Sequence, residues 1–315
     1  MIQTSRQLKD WINNLSKKTG IEPYILMRRY MMERFLERVS FSEYKDRFIL
    51  KGGMLVSAMV GIESRATMDI DSTIKNYPLS IAEAKRMIEK IIQIPIQDNI
   101  TFNIKRVDEI MDEMEYGGVR ISLESHFEGI ITPLKLDLST GDVITPREIR
   151  YSYPLMFEDR SIELMAYPLE TVLAEKLETI LARTITNTRM RDYYDIHILL
   201  TEQKDQIDTS LLHDALLATA NNRNSHNTLD NAEEILYAIE NDPDMYQLWK
   251  NYASKNVYAK TITWEDAISS ARSLSRRAGL KVRERQPIAE RLRAPRPQER
   301  KQADEPKKKR RDPER

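Results

Sequence analysis

The feature that most constrains the fold is a change of hydrophobic period near residues 160–168. Ahead of it, several short segments alternate apolar and polar residues, the signature of strands. Met68, Ile70 and Ser72 share one face with Asp69 and Asp71 on the other. Ile100, Phe102 and Ile104 alternate with Thr101, Asn103 and Lys105. Val119, Ile121 and Leu123 alternate with Arg120, Ser122 and Glu124, and Leu134, Leu136 and Leu138 with Lys135 and Asp137. A fifth short run, Arg47–Leu50, ends at Lys51-Gly52-Gly53 and is too brief for a helix. Helical spacing marks residues 4–40, with a break at Thr19-Gly20, then Met54–Val60 and Ile81–Ile92. Beyond Pro168 the pattern is helical to Leu280, with no strand-like alternation. This predicts an α+β chain: a mixed sheet with helices over residues 1–165, an all-helical domain over 166–280, and a tail.

Charge separates the tail from the rest. The full chain balances 49 Lys+Arg against 49 Asp+Glu. Residues 281–315 hold 14 basic and 7 acidic side chains, a surplus of 7, so residues 1–280 carry the opposite excess. The tail has five of the 13 prolines and no glycine or aromatic residue, which predicts disorder over 281–315. Its KKKRR run, Lys307–Arg311, is either a solvated terminus or an arm that attracts a polyanion such as RNA. There is no cysteine, which removes disulfides, thiolate metal sites and cysteine nucleophiles together. No apolar run approaches the ~20 residues of a membrane span, and the start lacks a secretory apolar core. A cytoplasmic protein is expected, with no membrane partner.

Four segments hold residues capable of chemistry. In the first, Lys51-Gly52-Gly53 precedes Arg65-Ala66-Thr67-Met68-Asp69-Ile70-Asp71. Two carboxylates at i and i+2 on a strand point the same way and repel unless a cation joins them, and Mg²⁺ binds through such groups plus substrate phosphates. A Gly-Gly turn admits a phosphate close to backbone N–H groups. Each piece alone has an ordinary explanation, a solvated strand face or a plain turn; the order and spacing make the combination more specific. In the second, Asp137 lies on the polar face of its strand, either an exposed residue or a third carboxylate of a two-metal site. In the third, Pro168 and Thr171 open a helix on which Lys176 and Arg183 share a face, suited to triphosphate oxygens or else to Glu–Lys pairing. In the fourth, Arg191 and Asp195 stand at i and i+4, which permits simple intrahelical pairing, with Asp192 beside them. The histidines have no metal-ligand spacing, and Tyr246, Trp249, Tyr252 and Tyr258 read as helical core.

Taken in order, these segments resemble the AbiEii/AbiGii toxin family, nucleotidyltransferases of the polymerase-β-like superfamily. The resemblance runs from about Arg28 to Leu200, through Arg28-Arg29-Tyr30, Glu33-Arg34-Phe35-Leu36, RFILKGGML (47–55), RATMDID (65–71), LKLDLSTGD (134–142), YPLETVLAEKLETILAR (167–183) and RMRDYYDIHIL (189–199). It implies an N-terminal nucleotidyltransferase domain and a helical C-terminal domain. It further implies NTP and Mg²⁺ as requirements, an antitoxin encoded alongside, and an RNA acceptor, the tRNA 3′ end. On this resemblance Gly52 and Gly53 match the phosphate-binding turn, Asp69 and Asp71 the metal-binding pair, Lys176 the motif-three lysine and Asp192 the motif-four acid. Arg65 and Arg183 are further candidates to neutralise the pyrophosphate, and Asp137 to complete the metal site. Gly53 departs from the Gly-Ser common at this turn. A protein or small-molecule acceptor, or a binding module without catalysis, is the alternative.

Overall fold

The computed structural model describes residues 2–77, 79–110 and 118–280; the expected basic tail, 281–315, lies outside the described residues. The order begins α1 (Ser5–Thr19), α2 (Pro23–Phe41), β1 (Phe48–Lys51), α3 (Gly52–Val60), β2 (Ile70–Ile74) and α4 (Ile81–Ile92). Strands β3 (Thr101–Ile110), β4 (Gly118–Phe127), β5 (Ile130–Ser139), β6 (Ile149–Pro154) and β7 (Ser161–Ala166) follow. Helices α5 (Leu169–Arg183), α6 (Met190–Glu202), α7 (Thr209–Asn222), α8 (His226–Asp230), α9 (Ala232–Glu240), α10 (Pro243–Lys255) and α11 (Trp264–Arg277) complete the described chain.

The seven strands form one mixed sheet in the order β3-β4-β5-β2-β1-β7-β6. Pairing is antiparallel except where β2 lies parallel to β5 and β1 to β7. The short apolar run before the glycines forms β1, and strands form at the four segments predicted from alternation, clearest in β5, where Leu134, Leu136 and Leu138 are buried while Lys135 and Asp137 face the other way. Strands β6 and β7 were not expected. β6 is a sheet edge whose residues are mostly exposed, and β7 alternates Ile162, Leu164 and Ala166 for only six residues before Pro168.

Helix α2 packs against β5, β7, α1 and α4, and is buried nearly all round. Its charges are therefore paired in the interior, where an unpaired charge would be costly. Arg29 pairs with Glu33, Arg34 with Glu37 and Glu158, and Arg38 with Asp98. Glu33 also accepts from the Met156 N–H, so α2 is tied to the loop between β6 and β7. This is the structural work of the Glu33-Arg34 segment. In the helical region Trp249 is buried and Tyr252 stacks against Tyr194, as core residues should; Tyr246 is instead exposed beside Lys250.

Candidate active site

Register across the sheet brings the chemistry together. Lys51 on β1 lies directly opposite Asp71 on β2, Asp71 opposite Asp137 on β5, and Asp137 opposite Arg120 on β4. Directly opposed residues project from the same face, so one row carries a cation, two carboxylates and another cation. The face they share is opposite to the leucines of β5. It forms the floor of a cavity of about 650 Å³ whose other wall comes from α5, α6 and the end of α7. All nine residues singled out in the sequence line it: Gly52, Gly53, Arg65, Asp69, Asp71, Asp137, Lys176, Arg183 and Asp192.

The carboxylates are already among cations. Arg120 donates from Nε to Asp137 Oδ1 and from Nη2 to Oδ2, each at 2.8 Å. Lys135 Nζ stands 3.7 Å from both Asp69 Oδ2 and Asp137 Oδ2. Asp71 has no salt bridge among the described residues. Burial pushes its carboxyl above the ordinary value, and Asp137 and Asp69 add to this against the opposing fields of Arg191 and Lys51. Hard carboxylate oxygens beside a cavity large enough for a nucleotide are the donor set that Mg²⁺ takes, one or two carboxylates with the rest from substrate and water. Asp69 and Asp71 fit that demand. Among the described residues no three acidic or histidine side chains converge as a closed cage.

Gly52 and Gly53 join β1 to α3, and both positions need glycine. Gly52 has φ +66°, and a Cβ there would lie 2.7 Å from Asp71 Cβ and Cγ. A Cβ on Gly53 would lie 3.0 Å from Thr67 Cβ and closer still to its hydroxyl, so Thr67 fills the space a serine side chain would need. No side chain caps α3, which leaves its first N–H groups for an anion. Gly52→Ala should therefore lose stability, by about 1–2 kcal/mol from the left-handed backbone alone, and lose transfer activity as Asp71 is displaced. Thermal melting alongside a transfer assay measures both; an unperturbed, active variant would contradict the packing of Asp71 on the turn.

The third and fourth segments meet in a buried network. Lys176 Nζ donates to Asp192 Oδ1 at 3.1 Å and Asp195 Oδ2 at 2.7 Å. Arg65 Nε donates to Asp195 Oδ1 at 2.6 Å, and its Nη1 to the Ala66 carbonyl. Asp195 is thus paired with Arg65 and Lys176 rather than with Arg191 one helical turn before it. Burial would raise its pKa, but those two cations outweigh this and hold it below the ordinary value. Arg65 is largely occupied by these bonds and serves to fix the loop leading to Asp69, while Arg29 and Ser57 bond in relay to the Arg65 carbonyl. An ammonium has three donors; Lys176 spends two and keeps one for a ligand.

Several pairings in the cavity were not readable from the sequence. Lys51 donates to Ser139 at 2.8 Å and Asp142 at 2.7 Å, and Thr73 donates to Asp142 at 2.5 Å. Arg223 joins Glu175 and Glu178 and anchors α7 to α5. Arg120 was visible as a polar strand residue, but its partner depends on β4–β5 register.

Comparison with known proteins bears on this geometry. No curated protein matches the sequence. The nucleotidyltransferase toxin MenT4 from Mycobacterium tuberculosis H37Rv has a TM-score of 0.50 and 10% identity, over 86% of this chain and 98% of that one. The crystal structure of JHP933 from Helicobacter pylori has a TM-score of 0.48 and 14% identity, over 82% and 92%. MenT4 shares the fold, a mixed sheet with a helical C-terminal region. A family profile described as nucleotidyl transferase AbiEii toxin, type IV TA system, matches residues 34–270. That span includes the Gly-Gly turn, the carboxylate strands and the Lys176 network, and it shows that this chain belongs to the AbiEii family of nucleotidyltransferase toxins of type IV toxin–antitoxin systems.

Proposed function

We propose that this chain transfers a nucleotide from an NTP to the 3′ hydroxyl of RNA, with tRNA as the acceptor, and that it requires Mg²⁺. The observation that carries the reading is that one cavity is lined by Asp69, Asp71, the open N-terminus of α3 and Lys176 together. Asp69 and Asp71 would hold the cation, which when bound supplies charge stabilisation for in-line displacement at the α-phosphate. The α3 N–H groups and the remaining Lys176 donor bind triphosphate oxygens and orient the leaving pyrophosphate. Little covalent chemistry falls to the protein, so preorganised charge carries most of the effect. Arg183, Arg189 and Arg191 line the same cavity and supply positive field for the polyanionic substrates.

An antitoxin encoded by a neighbouring gene is the partner this reading expects, with the pair acting in the cytoplasm. Among the described residues no helix is long and apolar enough to cross a membrane. The acceptor is tested by incubating the protein with each labelled NTP and total RNA, then with total protein. Label on RNA, lost when the 3′ end is first oxidised with periodate, supports the proposal; label on protein alone would replace it with the alternative acceptor class.

Lys176→Ala should raise KM for the NTP and lower kcat together, since the lost donor serves both binding and the leaving group. A loss of roughly 2–3 kcal/mol in kcat/KM, the worth of a charge-assisted hydrogen bond, is about a 30- to 150-fold drop. Steady-state kinetics on the purified variant measures it, and wild-type constants would make the helix face merely structural.

A further inference from the structure

The cross-sheet row leaves its two carboxylates, Asp71 and Asp137, unequally available. Arg120 takes both oxygens of Asp137 in a fork at 2.8 Å. Asp108, which faces Arg120 from β3, is bonded to Arg106 at 2.6 Å. With Lys135 also 3.7 Å from Asp69 and Asp137, a divalent cation approaching the free protein meets an Asp137 that is already paired, while Asp71 makes no salt bridge among the described residues. Arg120 is also reachable, its side chain being 39% exposed at the cavity rim.

Strand order gives the direction. The Gly52-Gly53 turn leaves from β1, on one side of the carboxylates, whereas Arg120 projects from β4 on the other. In an in-line displacement the attacking and leaving oxygens lie on opposite sides of the phosphorus. With the triphosphate tail on the glycine turn, the acceptor arrives from the Arg120 side. A guanidinium fork fits phosphate as well as carboxylate, so an acceptor phosphate competes with Asp137 for the same donors.

We propose that Arg120 is a positioning residue that withholds Asp137 from the cation site until a phosphate of the acceptor engages its guanidinium. This rests on the nucleotidyl-transfer reading of the site. It makes assembly of the third carboxylate conditional on the acceptor, which suppresses futile hydrolysis of the NTP.

The test is Mn²⁺ titration, with free Mn²⁺ followed by electron spin resonance, in the presence of a non-hydrolysable NTP analogue. Wild type should bind Mn²⁺ more tightly once a short oligoribonucleotide is added, by about ten- to a hundredfold, the usual size of an outer-shell effect. Arg120→Gln should show that tighter binding without the oligoribonucleotide, a gain that misfolding cannot produce. Adding Asp137→Asn should abolish the gain. Equal affinity of wild type and Arg120→Gln, a gain that survives Asp137→Asn, or tightening of wild type by the analogue alone to the level of Arg120→Gln would each overturn the gate. If Asp71→Asn abolishes binding in those cases, the cation reading of the carboxylates survives the failure. If no variant binds Mn²⁺ in any arm, that cation reading and the gate fall together.

Discussion

Replacing Asp71 with asparagine should lower nucleotide transfer by about a thousandfold and leave the fold intact. The side chain lies on the Gly52 turn with part of its surface open to the cavity, and asparagine keeps that shape while removing the charge. The lost stabilisation of a metal-bound phosphoryl group is several kcal/mol, and each ~1.4 kcal/mol is a factor of ten. The fold should not suffer, because Asp71 makes no salt bridge among the described residues and its burial disfavours the charge that asparagine removes. A melting temperature at or above wild type without divalent cation is the expected companion result. Near-normal transfer by a folded Asp71→Asn protein would remove the carboxylate from the chemistry.

The largest effect on stability is expected at Asp195. Its carboxylate is fully buried and is the shared partner of Arg65 and Lys176, which come from separate segments. Asp195→Asn leaves the buried Arg65 without its carboxylate and Lys176 with Asp192 alone, a loss of roughly 3–5 kcal/mol by analogy with broken buried pairs. The melting temperature should fall on the order of 10 °C. On that background Arg65→Gln should cost less than it does in wild type, since the charge it removes no longer has its partner. Asp192→Asn should be milder because Lys176 keeps Asp195. Additive losses, or an Asp195→Asn protein as stable as wild type, would mean that the network does not hold α6 to the Arg65 loop.

Legibility in the sequence followed the range of the interactions. Period-two alternation exposed β2 to β5, and glycines marked the end of β1, because these signals are local. β7 carries the same signal over fewer residues, beside a proline, and β6 is an edge strand whose mixed exposure weakens the pattern. The candidate carboxylates and Lys176 were accessible through spacing and family resemblance. Their partners were not, since Asp195 finds Arg65 some 130 residues away and Lys51 finds Asp142 at a separation of 91. Arg120 is an intermediate case. The Glu128-Gly129 turn has positive φ at both residues, 41° and 83°, and joins β4 to β5. Such a two-residue turn fixes the register of a hairpin, so the pairing of Arg120 with Asp137 could have been counted outward from Phe127 and Ile130.

The central claim is that this cavity transfers a nucleotidyl group, and parallel reactions with α- and γ-labelled NTP on an RNA acceptor test it most directly. Attack at the α-phosphate places the α label on RNA and releases the γ label as pyrophosphate, and Asp71→Asn should suppress both. Retention of the γ label on the acceptor, or α-label transfer undiminished in Asp71→Asn, would contradict the account.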